Sequence, residues 1–172
     1  MIKKASIEIS IEDQKLRVFN GDILSEYSIS TAKLGVGTKK GSFKTPLGLH
    51  QVRAKIGSGL PLNSVFLARR PTGEIYTASL AKQFPKRDWI LSRILWLSGC
   101  EVGHNRLGDV DTMQRYIYIH GTPDTEPMGK PESHGCVRMR NTDVVEVFDT
   151  LQIGSLVWIQ EPRFEGVTCR FV

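Results

Sequence analysis

The chain carries the stretch Ser133-His134-Gly135-Cys136-Val137-Arg138, and the pair His120-Gly121 precedes it at the end of an apolar segment. Fourteen positions separate the two histidines, which is enough for the proline-containing loop between them to return the chain. A thiol needs a basic or electropositive neighbour to act as a nucleophile near neutral pH, and an adjacent glycine lets a carbonyl substrate approach closely. The spacing therefore predicts a cysteine acyltransferase with Cys136 as its nucleophile.

The same residues allow other interpretations. Cysteine is often a small buried apolar residue, and a histidine is often a hydrogen-bonded residue of the core. The side chains of His120, His134 and Cys136 could also supply three ligands to a zinc ion with one position left open, so a zinc hydrolase is a competing hypothesis. A peptide-binding module that has lost its chemistry is a second alternative.

Two motifs in order resemble the catalytic domain of the L,D-transpeptidase (YkuD-type) family. One is the strand-end His120-Gly121 followed by Ser-His-Gly-Cys-aliphatic-Arg, and the other is Thr45-Pro46-Leu47-Gly48 behind the glycine-spaced segment 35–41. The resemblance covers roughly residues 7–159, although residues 54–110 match in rhythm more than in identity.

This resemblance implies a mostly β fold, a sandwich of mixed β-sheets with one helix after Cys136. It implies a substrate as well, the stem peptide of peptidoglycan, cut between the L-centre of diaminopimelate and D-alanine through a thioester on Cys136. His120 is then the preferred general base and acid because it ends a rigid strand, and His134 takes a supporting role. Backbone N–H groups of Gly135 and Cys136 are candidates for stabilising the oxyanion. No cofactor and no metal is implied.

Four further residues are candidates for binding the substrate. The planar guanidinium of Arg138 suits a substrate carboxylate, although an ion pair that holds the fold explains it equally well. Ser133, Gly121 and Thr122 belong to the same turns, where each could contact substrate or satisfy backbone groups of the loop.

Composition excludes several classes of protein. The 172 residues fit one domain, and we expect a catalytic domain over residues 1–160 with the tail 161–172 packed on it. The net charge of +5 is spread over short pairs such as Lys39-Lys40, so no nucleic-acid partner is predicted.

No apolar run is long enough for a membrane span. The expected partners are peptidoglycan stem peptides or muropeptides, and the oligomeric state is left open.

The pattern of residues near the start of the chain and the number of cysteines help to predict the cellular compartment. Residues 7–12 alternate apolar and polar side chains, which predicts a strand with one buried face and not the apolar core of a secretory leader. The three cysteines, Cys100, Cys136 and Cys169, cannot all pair, which suits a reducing compartment. We therefore expect a cytoplasmic L,D-carboxypeptidase that trims tetrapeptide muropeptides to tripeptides during recycling, or a periplasmic protein if a leader has been trimmed. Cross-linking or exchange of D-amino acids is the alternative.

Local patterns predict the elements. Strands are expected at residues 6–11, 15–19, 23–30, 47–56, 65–68, 116–119 and 155–159, with a hairpin at Asn20-Gly21. Residues 89–97 fit a helix or a strand by pattern, and the family resemblance favours a strand. A helix is expected after Asn141 as its N-cap, with Val144, Val147, Phe148 and Leu151 on one face and Gly154 at its end. His104 is expected on the surface.

Overall fold

The computed structural model describes residues 4–165. In that range the chain forms ten β-strands and two α-helices. The strands are β1 (Ser6–Ser10), β2 (Lys15–Asn20), β3 (Asp22–Ser28), β4 (Gly48–Ile56), β5 (Ser64–Leu67), β6 (Arg70–Ile75), β7 (Ile90–Gly99), β8 (Tyr118–Gly121), β9 (Val137–Met139) and β10 (Leu156–Gln160). The helices are α1 (Ala78–Gln83) and α2 (Asn141–Thr150), and a short 3-10 helix spans Gly108–Val110.

The described strands form one mixed sheet. Its main order is β3-β2-β1-β10-β4-β7-β5-β6, and β8 pairs with β7 and β9. The β1–β10 and β8–β9 pairs are parallel, and the other pairs are antiparallel. The predicted mostly β fold with mixed strands and one main helix is confirmed, and the hydrogen-bonded ladder runs through a single curled sheet.

The hairpin at Asn20-Gly21 is present as predicted. β2 ends at Asn20, β3 begins at Asp22, and these two residues face each other across the turn. Gly21 between them has φ +92°, in the left-handed region that glycine enters without steric strain. One glycine therefore separates the two strand ends, and the position of this turn follows from local sequence.

The sheet and α2 enclose the main apolar core. The fully buried side chains there come from strands at both ends and in the middle of the chain and include Ile7, Ile9, Leu95, Ile119 and Val157. From α2, the predicted face contributes Val144, Val147 and Phe148, and Leu151 follows as the C-cap. The helix thus packs over β7 and β8 and fixes the position of the strand that carries His120.

The start of α2 differs from the prediction. Arg140 is the N-cap residue and makes no side-chain cap hydrogen bond, while Asn141 is already helical. The Asn141 amide donates to the carbonyl of Thr122 at 2.8 Å, and its oxygen accepts from the Ser92 hydroxyl at 2.6 Å. Asn141 therefore ties α2 to β7 and β8 instead of capping its own helix, and the helix ends at Thr150, before Gly154.

Other boundaries also differ. The segment of uncertain pattern is the strand β7, with Ser92 at φ +66° inside an irregularity of its pairing with β8. The strand expected at residues 116–119 begins only at Tyr118, because Tyr116 has φ +57° and lies in a turn. Neither β6 nor α1 was predicted. Pro71 and Gly73 favour a turn, and α1 is too short to show periodicity.

The described part of the tail contacts the β1–β2 turn. Arg163 pairs with Glu12 at 2.9 Å, and the Phe164 N–H donates to Asp13 at 2.8 Å. Residues 166–172, with Cys169, lie outside the described residues, so the division into a domain and a packed tail stays a prediction. Within residues 4–165, no helix has the length and apolar character needed to cross a membrane.

Candidate active site

Two neighbouring parallel strands bring the predicted base and nucleophile together. In the β8–β9 pair, Ile119 faces Val137 and His120 faces Arg138. Cys136 immediately precedes β9. The side chains of His120 and Cys136 line one cavity of about 490 Å³, together with Ser133, His134 and Arg138. The pairing of β8 with β9 thus brings His120 and Cys136 to one cavity, although a loop separates them in sequence.

The Cys136 thiol lies between backbone groups of two tyrosines. Its Sγ accepts a hydrogen bond from the Tyr118 N–H at 3.3 Å and donates to the Tyr116 carbonyl at 3.4 Å. Burial raises the pKa of the thiol to about 11, and the nearby Asp88 carboxylate adds to this. The Tyr118 N–H and two arginines act in the opposite direction but do not cancel it. The resting thiol is therefore protonated near neutral pH.

The imidazole of His120 is buried and held in one tautomer. Its Nδ1 lies 2.7 Å from the carbonyl oxygen of Gly121. A carbonyl can only accept, so Nδ1 carries the proton and Nε2 keeps a free lone pair. Burial lowers the pKa of His120, which keeps the ring neutral near pH 7. His120 is thus arranged to accept a proton through Nε2.

The turn that carries the nucleophile is fixed by hydroxyl groups. The Ser133 hydroxyl donates to the Cys136 carbonyl at 2.6 Å and accepts from the Gly135 N–H at 3.2 Å. The Thr45 hydroxyl donates to the Gly135 carbonyl at 2.9 Å. Gly135 has φ +131°, which a side chain would strain. Within residues 4–165 the Cys136 N–H has no hydrogen-bond partner, whereas the Gly135 N–H is already engaged.

A charged cluster forms one wall of the cavity. The buried guanidinium of Arg138 donates to Asp88 at 2.9 Å and contacts Glu126 at 3.5 Å. The other carboxylate oxygen of Asp88 lies 3.6 Å from Nδ1 of His134, which is exposed. Arg138 also donates to the carbonyl of Glu132 at 3.3 Å. Asp88 thereby contacts both His134 and Arg138 of the Ser-His-Gly-Cys-Val-Arg stretch.

A comparison with protein families agrees with this geometry. The family model described as the L,D-transpeptidase catalytic domain, YkuD, matches residues 4–159. The chain belongs to the YkuD L,D-transpeptidase family. A segment of 47 residues is also 46% identical to YqjB of Bacillus subtilis (strain 168), a protein provisionally named an L,D-transpeptidase, and it covers 27% of either chain.

Solved L,D-transpeptidases share the fold at low identity. L,D-transpeptidase 3 from Mycobacterium tuberculosis, in complex with a faropenem-derived adduct, is 18% identical, with a TM-score of 0.57 over 91% of this chain and 60% of that one. An L,D-transpeptidase from Mycobacterium smegmatis is 18% identical, with a TM-score of 0.51 over 91% of this chain and 58% of that one. The chain spans about three fifths of these two structures.

Two predicted substrate contacts in this YkuD domain lie away from the thiol. Gly121 and Thr122 do not line the cavity of Cys136. A Cβ on Gly121 would collide with the Leu91 carbonyl and with Asn141, so glycine is needed there for close packing. The Thr122 N–H donates to the Met139 carbonyl at 3.1 Å, and its side chain borders a neighbouring polar cavity of about 270 Å³. Their substrate roles stay predictions.

Three charged residues of this YkuD site were not found from the sequence. Asp88, Arg69 and Arg115 line the cavity, and they come from segments far from Cys136 along the chain. Arg115 donates to the carbonyls of Gly37 and Lys44 at 3.1 and 2.6 Å, which anchors the glycine-rich loop beside the site. No local motif marks any of the three.

The zinc hypothesis requires three ligand side chains close together, and the described residues do not provide such a group. In the described range 4–165, no three His, Cys, Asp or Glu side chains come together to hold a metal ion, so His120, His134 and Cys136 form no such cluster. His104 is exposed, as expected. Cys100 and Cys136 are both unpaired thiols.

Proposed function

We propose that the protein acts on peptidoglycan stem peptides as a cysteine-dependent L,D-carboxypeptidase. In the first step, Cys136 takes the acyl group from the L-centre of diaminopimelate and releases D-alanine. The proposal rests mainly on the shared cavity of Cys136 and His120. There, Nδ1 of His120 is occupied, and no group of residues 4–165 is hydrogen-bonded to Nε2. Family membership supports this substrate class.

The proposed chemistry starts from a neutral pair. His120 accepts the Sγ proton through Nε2 while sulfur forms a bond to the carbonyl carbon. The oxyanion that develops is stabilised by the unused N–H of Cys136. The C–N bond then breaks, and the proton on Nε2 passes to the leaving amine of D-alanine. A thioester on Cys136 remains, and His120 is neutral again.

The second step is proposed to be hydrolysis. Cys136 is partly exposed, so water can reach the thioester. His120 takes a proton from that water as the water oxygen forms a bond to the carbonyl carbon of the thioester. The C–S bond then breaks, and the proton passes from Nε2 to the leaving sulfur. The product is a tripeptide. Attack by an amine, which would cross-link stem peptides or exchange D-amino acids, shares the same acyl-enzyme and is the alternative.

The cellular setting is a separate proposal. We propose cytoplasmic action on imported muropeptides during cell-wall recycling. In support, residues 6–10 form β1, which lies between β2 and β10 and is part of the sheet of the catalytic domain. Fractionation tests the location, and mature protein in the periplasm would contradict it.

Turnover of a defined peptide tests the activity. The purified protein is incubated with L-Ala-γ-D-Glu-meso-diaminopimelate-D-Ala, and products are followed by mass spectrometry. We expect release of one alanine, no release by Cys136→Ala, and normal release by the matched control Cys100→Ala. Peptide dimers would instead support transpeptidation.

If no product forms, a peptide-binding module without catalytic activity is the remaining possibility. If Cys136→Ala binds the peptide as well as the unmodified protein does and neither turns it over, a wall-peptide binding module replaces the enzyme.

A further inference from the structure

Three arginines line the cavity that holds Cys136, and they differ in what they contact. Arg138 is paired with the carboxylates of Asp88 and Glu126. Arg115 donates to two backbone carbonyls and to the Ser42 hydroxyl at 3.2 Å. Both guanidinium groups are therefore largely used in holding the protein together.

The third arginine keeps most of its donors unused. Arg69 lies in the turn between β5 and β6, after Ala68 at φ +52°. It donates one hydrogen bond, to the Tyr118 hydroxyl at 3.1 Å. Within residues 4–165, no carboxylate lies inside 4.0 Å of its charged nitrogens. A guanidinium has five N–H donors, so Arg69 has capacity left for a ligand.

Aromatic rings hold Arg69 in place. Its guanidinium lies over the ring of Trp96 at 4.5 Å and over the ring of Tyr116 at 4.8 Å. Stacking of this kind stabilises the cation and fixes its plane without using its N–H groups. Arg69 is therefore ordered in the unliganded protein, so little side-chain entropy is lost when it binds an anion.

The same two tyrosines connect Arg69 to the nucleophile. The ring of Tyr116 and the hydroxyl of Tyr118 contact the guanidinium, and backbone groups of both tyrosines contact Sγ of Cys136. The distance from the thiol to the cation is thus set by one short, rigid segment. A ligand atom placed by Arg69 is placed relative to the reacting sulfur as well.

We infer that Arg69 binds a carboxylate of the substrate and so selects free-acid peptides over amidated ones. This inference rests on the proposed function. A stem peptide has two carboxylates near its scissile bond, the terminal one of D-alanine and the one on the D-centre of diaminopimelate. A stacked guanidinium recognises either in bidentate fashion.

Three peptides and matched variants identify the carboxylate. The tetrapeptide is compared with its C-terminal amide and with its diaminopimelate side-chain amide, using unmodified protein, Arg69→Met and Arg69→Lys. Arg17→Met is the control, since it also removes a guanidinium stacked on a ring, that of Phe164 at 4.1 Å, outside this cavity. Melting temperatures confirm folding.

The expected pattern is specific to one carboxylate. Unmodified protein should prefer the free acid over one of the two amides by about 10- to 100-fold in kcat/KM. Arg69→Met should lose that preference by losing activity on the free acid, Arg69→Lys should recover part of it, and Arg17→Met should keep it. The amide that is discriminated against identifies the carboxylate. An Arg69→Met variant with unchanged preference for both would overturn the inference.

Binding separates this inference from the proposed activity. Calorimetry with Cys136→Ala and with the Cys136→Ala/Arg69→Met double variant requires no turnover. Weaker binding of the free acid to the double variant supports the role of Arg69 even if no peptide is cleaved. Equal binding to both variants, or no binding to Cys136→Ala, contradicts it.

Discussion

The Thr45 hydroxyl donates a hydrogen bond of 2.9 Å to the carbonyl of Gly135, ninety positions further along the chain. The same hydroxyl accepts from the Ala32 N–H at 3.0 Å. Thr45 is fully buried, so each of these backbone groups depends on it. The two motifs by which the family was recognised therefore meet at the turn that presents Cys136.

Replacing Thr45 with valine keeps its shape and removes both hydrogen bonds. We expect Thr45→Val to lower the free energy of unfolding by about 1–3 kcal/mol, because buried backbone groups lose their partner. We also expect kcat to fall by about 10- to 100-fold, because the nucleophile turn is no longer held in register. Denaturant unfolding and peptide turnover measure the two effects. Thr45→Ser should restore both, and a fully active valine variant would show that the turn is held by other contacts.

The two histidines should differ sharply in their effect on the reaction. His120→Ala should lower kcat/KM by about 10²–10⁴-fold, as expected for loss of a general acid and base. His134→Ala should change it by less than about fivefold, because His134 is exposed and its contact with Asp88 is 3.6 Å long. Steady-state kinetics on the tetrapeptide measures both effects. A larger loss of kcat/KM in His134→Ala than in His120→Ala would indicate that His134 is the general base.

Alkylation of the thiol should depend strongly on pH. Because the pKa of Cys136 is raised to about 11, the thiolate fraction is small at pH 7. Its iodoacetamide labelling should rise about tenfold per pH unit between pH 7 and 10. Peptide-resolved mass spectrometry separates Cys136 from Cys100. Labelling that is already fast and constant from pH 6 to 9 would indicate a thiolate–imidazolium pair instead.

Buried His50 should make folding sensitive to acid. Its Nδ1 donates to the Gly48 carbonyl at 3.0 Å and Nε2 lies 3.1 Å from the Thr112 hydroxyl. Burial lowers the pKa of His50 from 6.5 to about 4. The unfolded chain therefore binds the proton first, and the free energy of unfolding should fall as pH drops from 6.5 to 4.

The contribution of His50 to this pH dependence can be measured by comparison with the neutral variant His50→Gln. The fall should total on the order of 3 kcal/mol for unmodified protein. His50→Gln should show a smaller slope in the same pH window, whatever its stability at pH 7. Urea unfolding at several pH values gives both slopes, and parallel slopes would rule out His50 as the source.

The family and the fold class were predictable from sequence because the motifs that indicate them are local. His120 lies in β8 and Cys136 immediately precedes β9, with one loop between them, and the Asn20-Gly21 turn depends only on its own residues. Glycine, histidine and cysteine in fixed order are informative without any knowledge of the fold. The family and the mostly β class therefore agree with the prediction, and the structure places His120 and Cys136 at one cavity, where their catalytic roles stay predictions.

The surroundings of the site were not predictable for a physical reason. Arg69 and Asp88 reach the cavity through β5 and β7, because β7 pairs with β5 and with β8 at once. No spacing of residues in the sequence indicates that β7 pairs with both β5 and β8. Asn141 was assigned to a helix cap by its type, but partners on β7 and next to β8 compete successfully for its amide.

The order of the strands also constrains how the molecule is made. β10 lies between β1 and β4, and its parallel pairing sets Ile7 beside Val157. A growing chain can form the β1–β2–β3 meander early, but both β1 and β4 keep an open edge until residue 160 has been synthesised.

A chain that stops short would therefore expose two strand edges that bind other polypeptides. Closure of the sheet over so long a separation is slow, since the ends of a loop of some 150 residues must meet. The finished sheet thus requires β10, and truncated products that lack it should be found in aggregates.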